Sequence, residues 1–223
     1  MKQWTADNPK AELMQRKRGL IVEAARDAFL EKGYAESSMS RIAETAGVSI
    51  KTVYRHFDNK DDLFSAVMHA ACGRDGLASL DDKDTAKPSA VADRPWASKA
   101  PSTGLILAGI DYLNDLLGEE QLALYRMVAR DAHRFPELGE RFQAEVTSHR
   151  NALFASYLQH WAPVEGWKIK HHSRAASTFM ALLRTDLFDN ALLGSRYPEK
   201  REIAAHARSA STQMLLLLQA NCF

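Results

Sequence analysis

Apolar residues recur at helical spacing along most of the chain. In residues 16–32 they form one face of a predicted helix that Gly33 ends. This face consists of Leu20, Ile21, Ala24, Ala25, Ala28 and Phe29. Ser38, Ser49 and Asn59 each precede a further helical stretch and are of the residue types preferred at helix N-caps. The pattern therefore predicts four helices between Arg16 and Leu77.

Helical spacing returns after a polar stretch. Residues 79–103 contain Pro88, Pro95 and Pro101 among small polar and acidic residues, which predicts a long loop. Five more helices are then predicted, over residues 103–117, 119–134, 138–161, 171–193 and 199–219. Because β-branched residues are sparse and no alternating run exceeds a few residues, the predicted fold is all-α with two helical domains.

The charge of the chain differs between its two ends. Residues 1–60 carry a net charge of +3 and the remainder −2, so a polyanionic partner would meet the N-terminal part. Cys72 and Cys222 form no Cys-x-x-Cys pair, and Asp81–Asp84 lacks the glycine and glutamate of a calcium loop. The chain has neither a signal peptide nor about 18 consecutive apolar residues. We therefore expect a cytoplasmic protein with no membrane partner, metal or cofactor.

Residues 38–57 have the pattern of a helix-turn-helix. Ala43 is small where two helices cross, Gly47 allows the positive φ of a short turn, and Val53 and Phe57 fall on the buried side. The outward face of the second helix presents an apolar side chain, two cations and a phenol, namely Ile50, Lys51, Tyr54 and Arg55. Such side chains can contact DNA bases and phosphates. The alternative is that Tyr54 and His56 are half-buried packing residues and that Lys51 and Arg55 form a solvated face.

Two parts of the chain resemble the TetR family of transcriptional regulators. The N-terminal part does so over about residues 16–68, through Ala24-Ala25, Phe29, Gly33-Tyr34, Ile42-Ala43, Gly47-Val48-Ser49, Thr52 to Phe57 and Asn59 to Leu63. The C-terminal part is similar to the efflux-type or AefR-like branch, through Tyr125 to Val128, Arg134 to Leu138, Phe179 to Asp186 and Leu193-Gly194. The resemblance implies a three-helix DNA-binding domain followed by a larger helical bundle for ligand binding and dimerisation.

The resemblance also implies roles for individual residues. Those implied to face the major groove of DNA are Ile50, Lys51, Thr52 and Tyr54, and those implied to contact phosphates are Ser49, Tyr54, His56 and Lys60. Ser40 and Arg41 match positions that touch DNA in some members, and residues 16–18 would add a basic arm. We expect a flexible arm over residues 1–15, a DNA-binding domain over 16–60 and a ligand-binding and dimerisation domain over 61–223.

The C-terminal part contains apolar stripes and isolated charges. The stripes consist of Ala175, Phe179, Leu182, Leu183, Met214, Leu215 and Leu218, and they would serve either a core within one chain or a dimer interface. Candidate ligand contacts are Tyr112, Leu116, Tyr125, His133 and Phe179, with plain core packing as the alternative. The charges that interrupt apolar helices are Arg126, Arg130, Asp131, Arg184 and Asp186. We expect each to pair with an opposite charge across the bundle. The alternative is that they bind an anionic group of a ligand.

The function predicted from these observations is sequence-specific repression. A homodimer would bind a palindromic operator in double-stranded DNA and be released by a small molecule, with the helix that starts at Asn59 as the mechanical link. An interaction module that keeps the fold without reading a DNA sequence, or without binding DNA, is the alternative, and activation is also open. Gly-x-Ser-x-Gly, His-Glu-x-x-His and Gly-rich phosphate motifs are absent, which disfavours an enzyme.

Overall fold

The computed structural model describes residues 9–71 and 94–223, and every regular element in these two stretches is helical. The predicted all-α class is therefore confirmed. The elements are α1 (Pro9–Glu36), α2 (Met39–Thr45), α3 (Ile50–His56), α4 (Lys60–Ala71), α5 (Pro101–Leu116), α6 (Glu119–Asp131), α7 (Pro136–Phe142), a π-helical turn (Gln143–Thr147), α8 (Ser148–Glu165), α9 (His172–Leu192) and α10 (Lys200–Gln219).

The described residues divide into two compact units. The first unit contains residues 9–71 and 126–145, and the second contains residues 94–125 and 146–223. The chain changes unit within α6 and again at the π-helical turn. This division differs from the expected boundary at residue 60, because α4 packs on α1 and so belongs to the first unit. The assignment of a DNA-binding and a ligand-binding domain is a statement about function and stays a prediction.

The first helix begins earlier than the hydrophobic pattern indicates. α1 starts at Pro9, so residues 9–15, which were expected to belong to a flexible arm, are helical. Proline suits the first turn of a helix because the N–H that it lacks has no partner there. Further along α1, Ile21, Ala25 and Phe29 are completely buried. Phe29 packs edge-on against Phe64 of α4, with ring centroids 5.8 Å apart.

The helix-turn-helix forms as the sequence predicts. The Oγ atoms of Ser38 and Ser49 accept the backbone N–H groups of Arg41 and Thr52 at 3.3 and 3.2 Å, so both serines are N-caps. Gly47 lies between α2 and α3 with a φ of 65°. These local signals can be read from sequence because each depends on a residue and its near neighbours.

α4 has no exposed face over most of its length. Asn59 caps its start, where the side-chain Oδ1 accepts the Asp62 N–H at 2.9 Å. All residues from Leu63 to Met68 are buried. The predicted continuation of this helix to Leu77 lies outside the described residues, as do Cys72, Asp81–Asp84 and most of the predicted loop over residues 79–103. Residues 94–100 form turns, and α5 begins at Pro101.

The second unit has a core made by α5, α8, α9 and α10. The predicted helix over residues 138–161 is in fact α7, the π-helical turn and α8, and α8 continues through Pro163 to Glu165. Most of the predicted apolar stripe fills this core, since Ala175, Phe179, Leu183, Met214 and Leu218 are at most 1% exposed. Leu182 and Leu215 are partly buried against it. The stripe therefore serves mainly the fold of one chain.

No helix within the described ranges combines the length and apolar character that crossing a bilayer requires. The described residues also contain no group of three or more His, Cys, Asp or Glu side chains placed to hold a metal ion.

Candidate functional site

The outward face of α3 is free of contacts with the core. Val53 and Phe57 are buried at 0% and 2% exposure, whereas Ile50 and Tyr54 on the other side of the helix are 38% and 53% exposed. Lys51 and Arg55 are exposed as well. A seven-residue helix thus projects an apolar side chain, a phenol and two cations into solvent. This combination can make base-edge and phosphate contacts in a major groove.

The N-terminus of α3 presents hydroxyl groups. The Oγ of Ser49 and the Oγ1 of Thr52 lie 2.9 Å apart, and both belong to the first turn of the helix. On α2, Ser40 and Arg41 are exposed, and the Arg41 backbone donates its N–H to the Ser38 cap. The predicted contacts at Ser49, Thr52 and Arg41 are therefore accessible in the described structure.

His56 lies at the edge of this surface and is half-buried. Its Nε2 is shielded from solvent and has no hydrogen-bond partner among the described residues. Burial lowers the pKa of His56, and the positive charges of Arg55, Arg18 and Lys17 lower it further. Arg18 itself packs its guanidinium 5.0 Å from the centroid of the Phe57 ring. The structure thus brings part of the predicted basic arm next to the end of α3.

Lys60 has internal partners that the sequence did not reveal. Its Nζ donates to the backbone carbonyl oxygens of Tyr34 at 2.8 Å and Ser37 at 3.0 Å. The ammonium also lies 4.2 Å from the centroid of the Tyr34 ring. Burial lowers the pKa of Lys60, with Asp61 and Glu36 acting in the opposite direction. Two of its three N–H donors are therefore used within the protein, and a phosphate contact has only the third.

A hydrogen-bonded cluster holds the end of α1. The backbone N–H of Tyr34 donates to Asp131 Oδ2 at 2.8 Å, and the Tyr34 hydroxyl donates to Asp61. Arg130 binds Asp131 through Nε and Nη2 at 2.8 and 3.2 Å. The hydrogen bonds from Arg130 lower the pKa of Asp131 most, and the hydrogen bond from the Tyr34 backbone lowers it further. The expected pairing of Arg130 with Asp131 is thus found, and Asp131 also serves the backbone next to Gly33.

The candidate ligand contacts fall into two groups. Tyr112, Leu116 and Phe179 are buried in the second unit, and Tyr125 is partly buried against the same core. His133 is exposed and belongs to the first unit, so it is not part of this cluster. His133 was a candidate because it lies at the end of an apolar helical stretch. Only the fold shows that its side chain is exposed and lies in the other unit.

The half-buried charge of Arg184 in the second unit does not pair as expected. Arg184 Nε donates to the Tyr112 hydroxyl at 2.9 Å, and Nη2 donates to the Tyr125 hydroxyl at 2.7 Å. Among the described residues no carboxylate forms an ion pair with Arg184, and Asp186 is exposed. Two tyrosine hydroxyl groups therefore hold a charged guanidinium, and the expected pairing with an acidic residue does not occur at this position.

Comparison with known proteins places this architecture in a family. Residues 21–67 match the model of bacterial regulatory proteins of the tetR family. Residues 103–218, more than half of the chain, match the C-terminal domain of AefR-like transcriptional repressors. The chain belongs to the TetR family. Its N-terminal helix-turn-helix and C-terminal helical region are the two parts that the family models describe.

Solved structures of TetR-family regulators cover nearly the whole chain. A regulator from Mesorhizobium loti MAFF303099 is 28% identical, with 92% of this chain and 97% of that chain covered and a TM-score of 0.71. The flavonoid-responsive regulator FrrA is 26% identical, with 90% and 96% covered and a TM-score of 0.69. The TetR fold of this chain is therefore shared over most of its length.

Curated transcriptional regulators also match, the first of them over short stretches. The regulator TtgR of Pseudomonas putida is 42% identical over 57 residues, which is 26% of this chain and 27% of TtgR. The chain thus matches about a quarter of the length of the first curated relatives. What those proteins bind and regulate as whole molecules is a proposal for this TetR-family chain.

Sequence reasoning missed two buried polar residues in this TetR-family protein. Arg150 on α8 is 7% exposed and Gln121 on α6 is 4% exposed. Arg150 Nη1 and both polar atoms of the Gln121 amide are shielded from solvent and lack hydrogen-bond partners among the described residues. A signal was present, because Leu153 and Phe154 follow Arg150 at the spacing that places all three on one helical face.

Proposed function

We propose that this TetR-family protein is a cytoplasmic, homodimeric repressor that binds a palindromic DNA operator and releases it when a small molecule binds the second unit. The observation that carries the proposal is the outward face of α3, where Ile50, Lys51 and Tyr54 are exposed on a helix whose inner face is fully buried. A dimer would place two such helices about 34 Å apart, one turn of the DNA duplex.

In the proposed complex some residues of α3 contact bases and others contact phosphates. Ile50, Lys51, Thr52 and Tyr54 face the bases, and the hydroxyl of Ser49 and the backbone N–H groups beside it face a phosphate. Arg41 and His56 flank this surface and contact the DNA backbone. Lys60 has a positioning role in this proposal, because its bonds to the Tyr34 and Ser37 carbonyl oxygens hold the start of α4 at the end of α1.

The proposed dimer interface lies on the outer side of the last two helices. The inner residues of α9 and α10 are buried in the core of one chain, so they are not available to a partner. Leu216 on α10 remains 61% exposed, and Ala205, Ser209 and Thr212 on the same helix are exposed small residues that allow close approach of a partner helix. A partner chain packed there would bury Leu216.

The proposed effector site lies among the aromatic residues of the second unit. Tyr112 and Tyr125 accept hydrogen bonds from Arg184, and Leu116 and Phe179 belong to the same core. The name of the relative FrrA describes it as flavonoid-responsive, and a partly apolar molecule of similar size suits an aromatic environment in this chain as well. By thermodynamic linkage, an effector that weakens operator binding is itself bound less tightly by the DNA complex.

Selection from random DNA duplexes at near-physiological salt tests the proposal. We expect the purified full-length protein to enrich a two-fold palindrome. The Tyr54→Ala variant is expected to lose it, while Tyr197→Ala keeps it. These two tyrosines are matched, since they are 53% and 54% exposed. Enrichment of no sequence, together with salt-sensitive binding of every duplex, would favour an interaction module that does not read sequence.

A further inference from the structure

Two arginine side chains in the second unit contact the same tyrosine. Arg184 donates through Nε to the Tyr112 hydroxyl at 2.9 Å. The guanidinium carbon of Arg150 lies 5.7 Å from the centroid of the Tyr112 ring. Tyr112 is itself only 4% exposed. Two cations, from α8 and α9, are thus gathered around one buried phenol.

Neither cation has an ion-pair partner among the described residues. The carboxylate of Asp115 interacts electrostatically with Arg150, but the two form no ion pair, and burial together with Asp111 raises the pKa of Asp115. Asp111 is engaged by Arg94 at 3.0 Å and by the Trp96 indole N–H at 2.9 Å. Arg150 is buried and Arg184 is half-buried, so each cation is unfavourable without a counter-charge, and an anion bound beside them lowers that cost.

Two polar side chains of the second unit carry atoms without a partner among the described residues. Arg150 Nη1 is shielded from solvent and unpartnered within the described structure, in a residue that is only 7% exposed. Gln121 has both amide atoms in the same state and lies one helical turn before Tyr125 on α6. Tyr125 in turn accepts a hydrogen bond from Arg184 at 2.7 Å. Buried polar atoms are rarely left without a hydrogen-bond partner, and a polar group of a bound ligand would satisfy the atoms of Arg150 and Gln121.

The backbone beside Arg184 is strained. Thr185 interrupts α9 with a φ of 27° and a ψ of −148°, which is unfavourable for a β-branched residue. His206 on α10 covers the interruption, where its Nε2 lies 3.1 Å from Thr185 Oγ1 and 3.2 Å from the Leu182 carbonyl oxygen. Strain of this kind clusters at ligand sites because the surrounding structure must hold a functional side chain in place.

The surroundings of the two guanidinium groups are aromatic. Arg184 lies 5.3 Å from the Phe188 ring centroid, and Phe188 packs against Tyr125 at 5.1 Å. On the other side, Tyr112 contacts Phe154 at 5.7 Å between ring centroids. Rings pack well against other rings, so this environment suits an aromatic body attached to the anionic group.

We propose that the second unit binds a small aromatic acid whose carboxylate lies between Arg150 and Arg184 and whose ring packs among Tyr112, Tyr125 and Phe188. Gln121 hydrogen-bonds a further polar substituent. Arg184 supplies the N–H donors that its bonds to Tyr112 and Tyr125 leave unused, and Arg150 supplies the unpartnered Nη1, a pairing that favours a carboxylate over a neutral group. The identity of this acid as the effector rests on the proposed function.

Isothermal titration calorimetry with the full-length protein tests the anion preference directly. The probes are benzoate, 2-naphthoate and 9-anthracenecarboxylate, each compared with its own carboxamide, which keeps the ring and removes the charge. We expect at least one acid to bind about tenfold or more tightly than its amide. The proposal is overturned when no acid of the three binds more tightly than its amide.

Variants then assign the preference to the two arginines. Arg184→Met and Arg150→Met are expected to weaken binding of the preferred acid by about 10- to 100-fold and to change amide binding by less than about twofold. Arg174→Met, at an exposed position of α9, is the control and should bind both probes as the parent does. Arg184→Lys keeps the charge and should retain part of the affinity. Equal acid affinity in the parent and both Met variants, each with an unchanged circular dichroism spectrum, would overturn the site.

Failure of this inference can be separated from failure of the proposed function. Release of the selected operator by the preferred acid supports both. Release by the amides or by the neutral flavonoid naringenin, with no response to any acid, overturns the acid site and leaves effector-controlled DNA binding in place. Tight acid binding that leaves operator affinity unchanged supports the acid site and overturns its role as the effector site.

Discussion

Gly33 shows how one residue can set the path of the chain. Its φ of 83° and ψ of 171° lie in a region that residues with a side chain rarely occupy. A Cβ at this position would meet the guanidinium of Arg130 and the carboxylate of Asp131. The glycine therefore allows α1 to turn while Asp131 accepts the N–H of Tyr34 at 2.8 Å.

We expect Gly33→Ala to lower the free energy of unfolding by roughly 1–3 kcal/mol, because alanine is strained in this conformation. The matched control is Gly19→Ala on the same helix, where an added Cβ meets nothing within 4 Å. That variant should be neutral or more stable by up to about 1 kcal/mol, as alanine favours a helix. Urea denaturation measures both. A similar stability for the two variants would contradict the assigned role of Gly33.

The imidazole of His56 is predicted to make stability depend on pH. Burial and nearby cations hold its pKa in the folded chain below the ordinary value of about 6.5. The unfolded chain therefore binds the proton first as the pH falls. Stability is then lost from about pH 6.5 downward, until the pH passes the lower pKa of the folded state.

The His56→Asn variant removes this titration. Between pH 7.5 and pH 5.5 we expect the parent to lose more unfolding free energy than the variant, since only the parent carries the depressed imidazole pKa. Urea denaturation at the two pH values gives the comparison. An equal loss in both proteins would show that other groups carry the pH dependence.

At the scale of elements, the start of α4 braces the helix-turn-helix. Lys60 bonds to the Tyr34 and Ser37 carbonyl oxygens tie α4 to the end of α1. Asn59 caps the same helix end through Asp62. On α3, by contrast, Lys51 is exposed. The two lysines therefore have different surroundings, although both are expected from the sequence to contact DNA.

Lys60→Met and Lys51→Met should separate stability from DNA binding. Lys60→Met is expected to lower the free energy of unfolding by about 1–3 kcal/mol, because two carbonyl groups lose their donor. Lys51→Met should change stability by less than about 0.5 kcal/mol, and it should weaken operator binding, because in the proposed complex this side chain faces the bases. Thermal denaturation and salt titrations of DNA binding measure the two effects. A stable Lys60→Met protein with a reduced salt dependence would instead make Lys60 a phosphate contact.

Most elements could be predicted because their signals are local. The caps at Ser38 and Ser49 and the turn at Gly47 each depend on residues within about four positions. The start of α1 at Pro9 was missed because residues 9–15 carry little apolar periodicity. The π-helical turn at residues 143–147 was missed as well, since its sequence continues the helical spacing of its neighbours.

At the scale of the whole molecule, the proposed homodimer depends on what the core leaves exposed. We expect Leu216→Glu to be monomeric at micromolar concentration, because a charge would be buried in the proposed interface on α10. Val164→Glu is the matched control, since Leu216 and Val164 are 61% and 66% exposed. Sedimentation velocity distinguishes the states. A Leu216→Glu protein that stays dimeric places the interface elsewhere, and a monomeric parent rules out the homodimer.

The sequence by itself determined the helical class, the helix-turn-helix and the outward face of α3. Those features follow from periodicity and from capping, which act between residues close in the chain. Only the tertiary structure decided which partners the charges at Arg184, Arg150 and Lys60 find. Arg184 and Arg150 meet at Tyr112 from different helices, and Lys60 meets carbonyl groups at the end of α1. Such contacts depend on how segments that are distant in sequence pack together, so local sequence spacing does not reveal them.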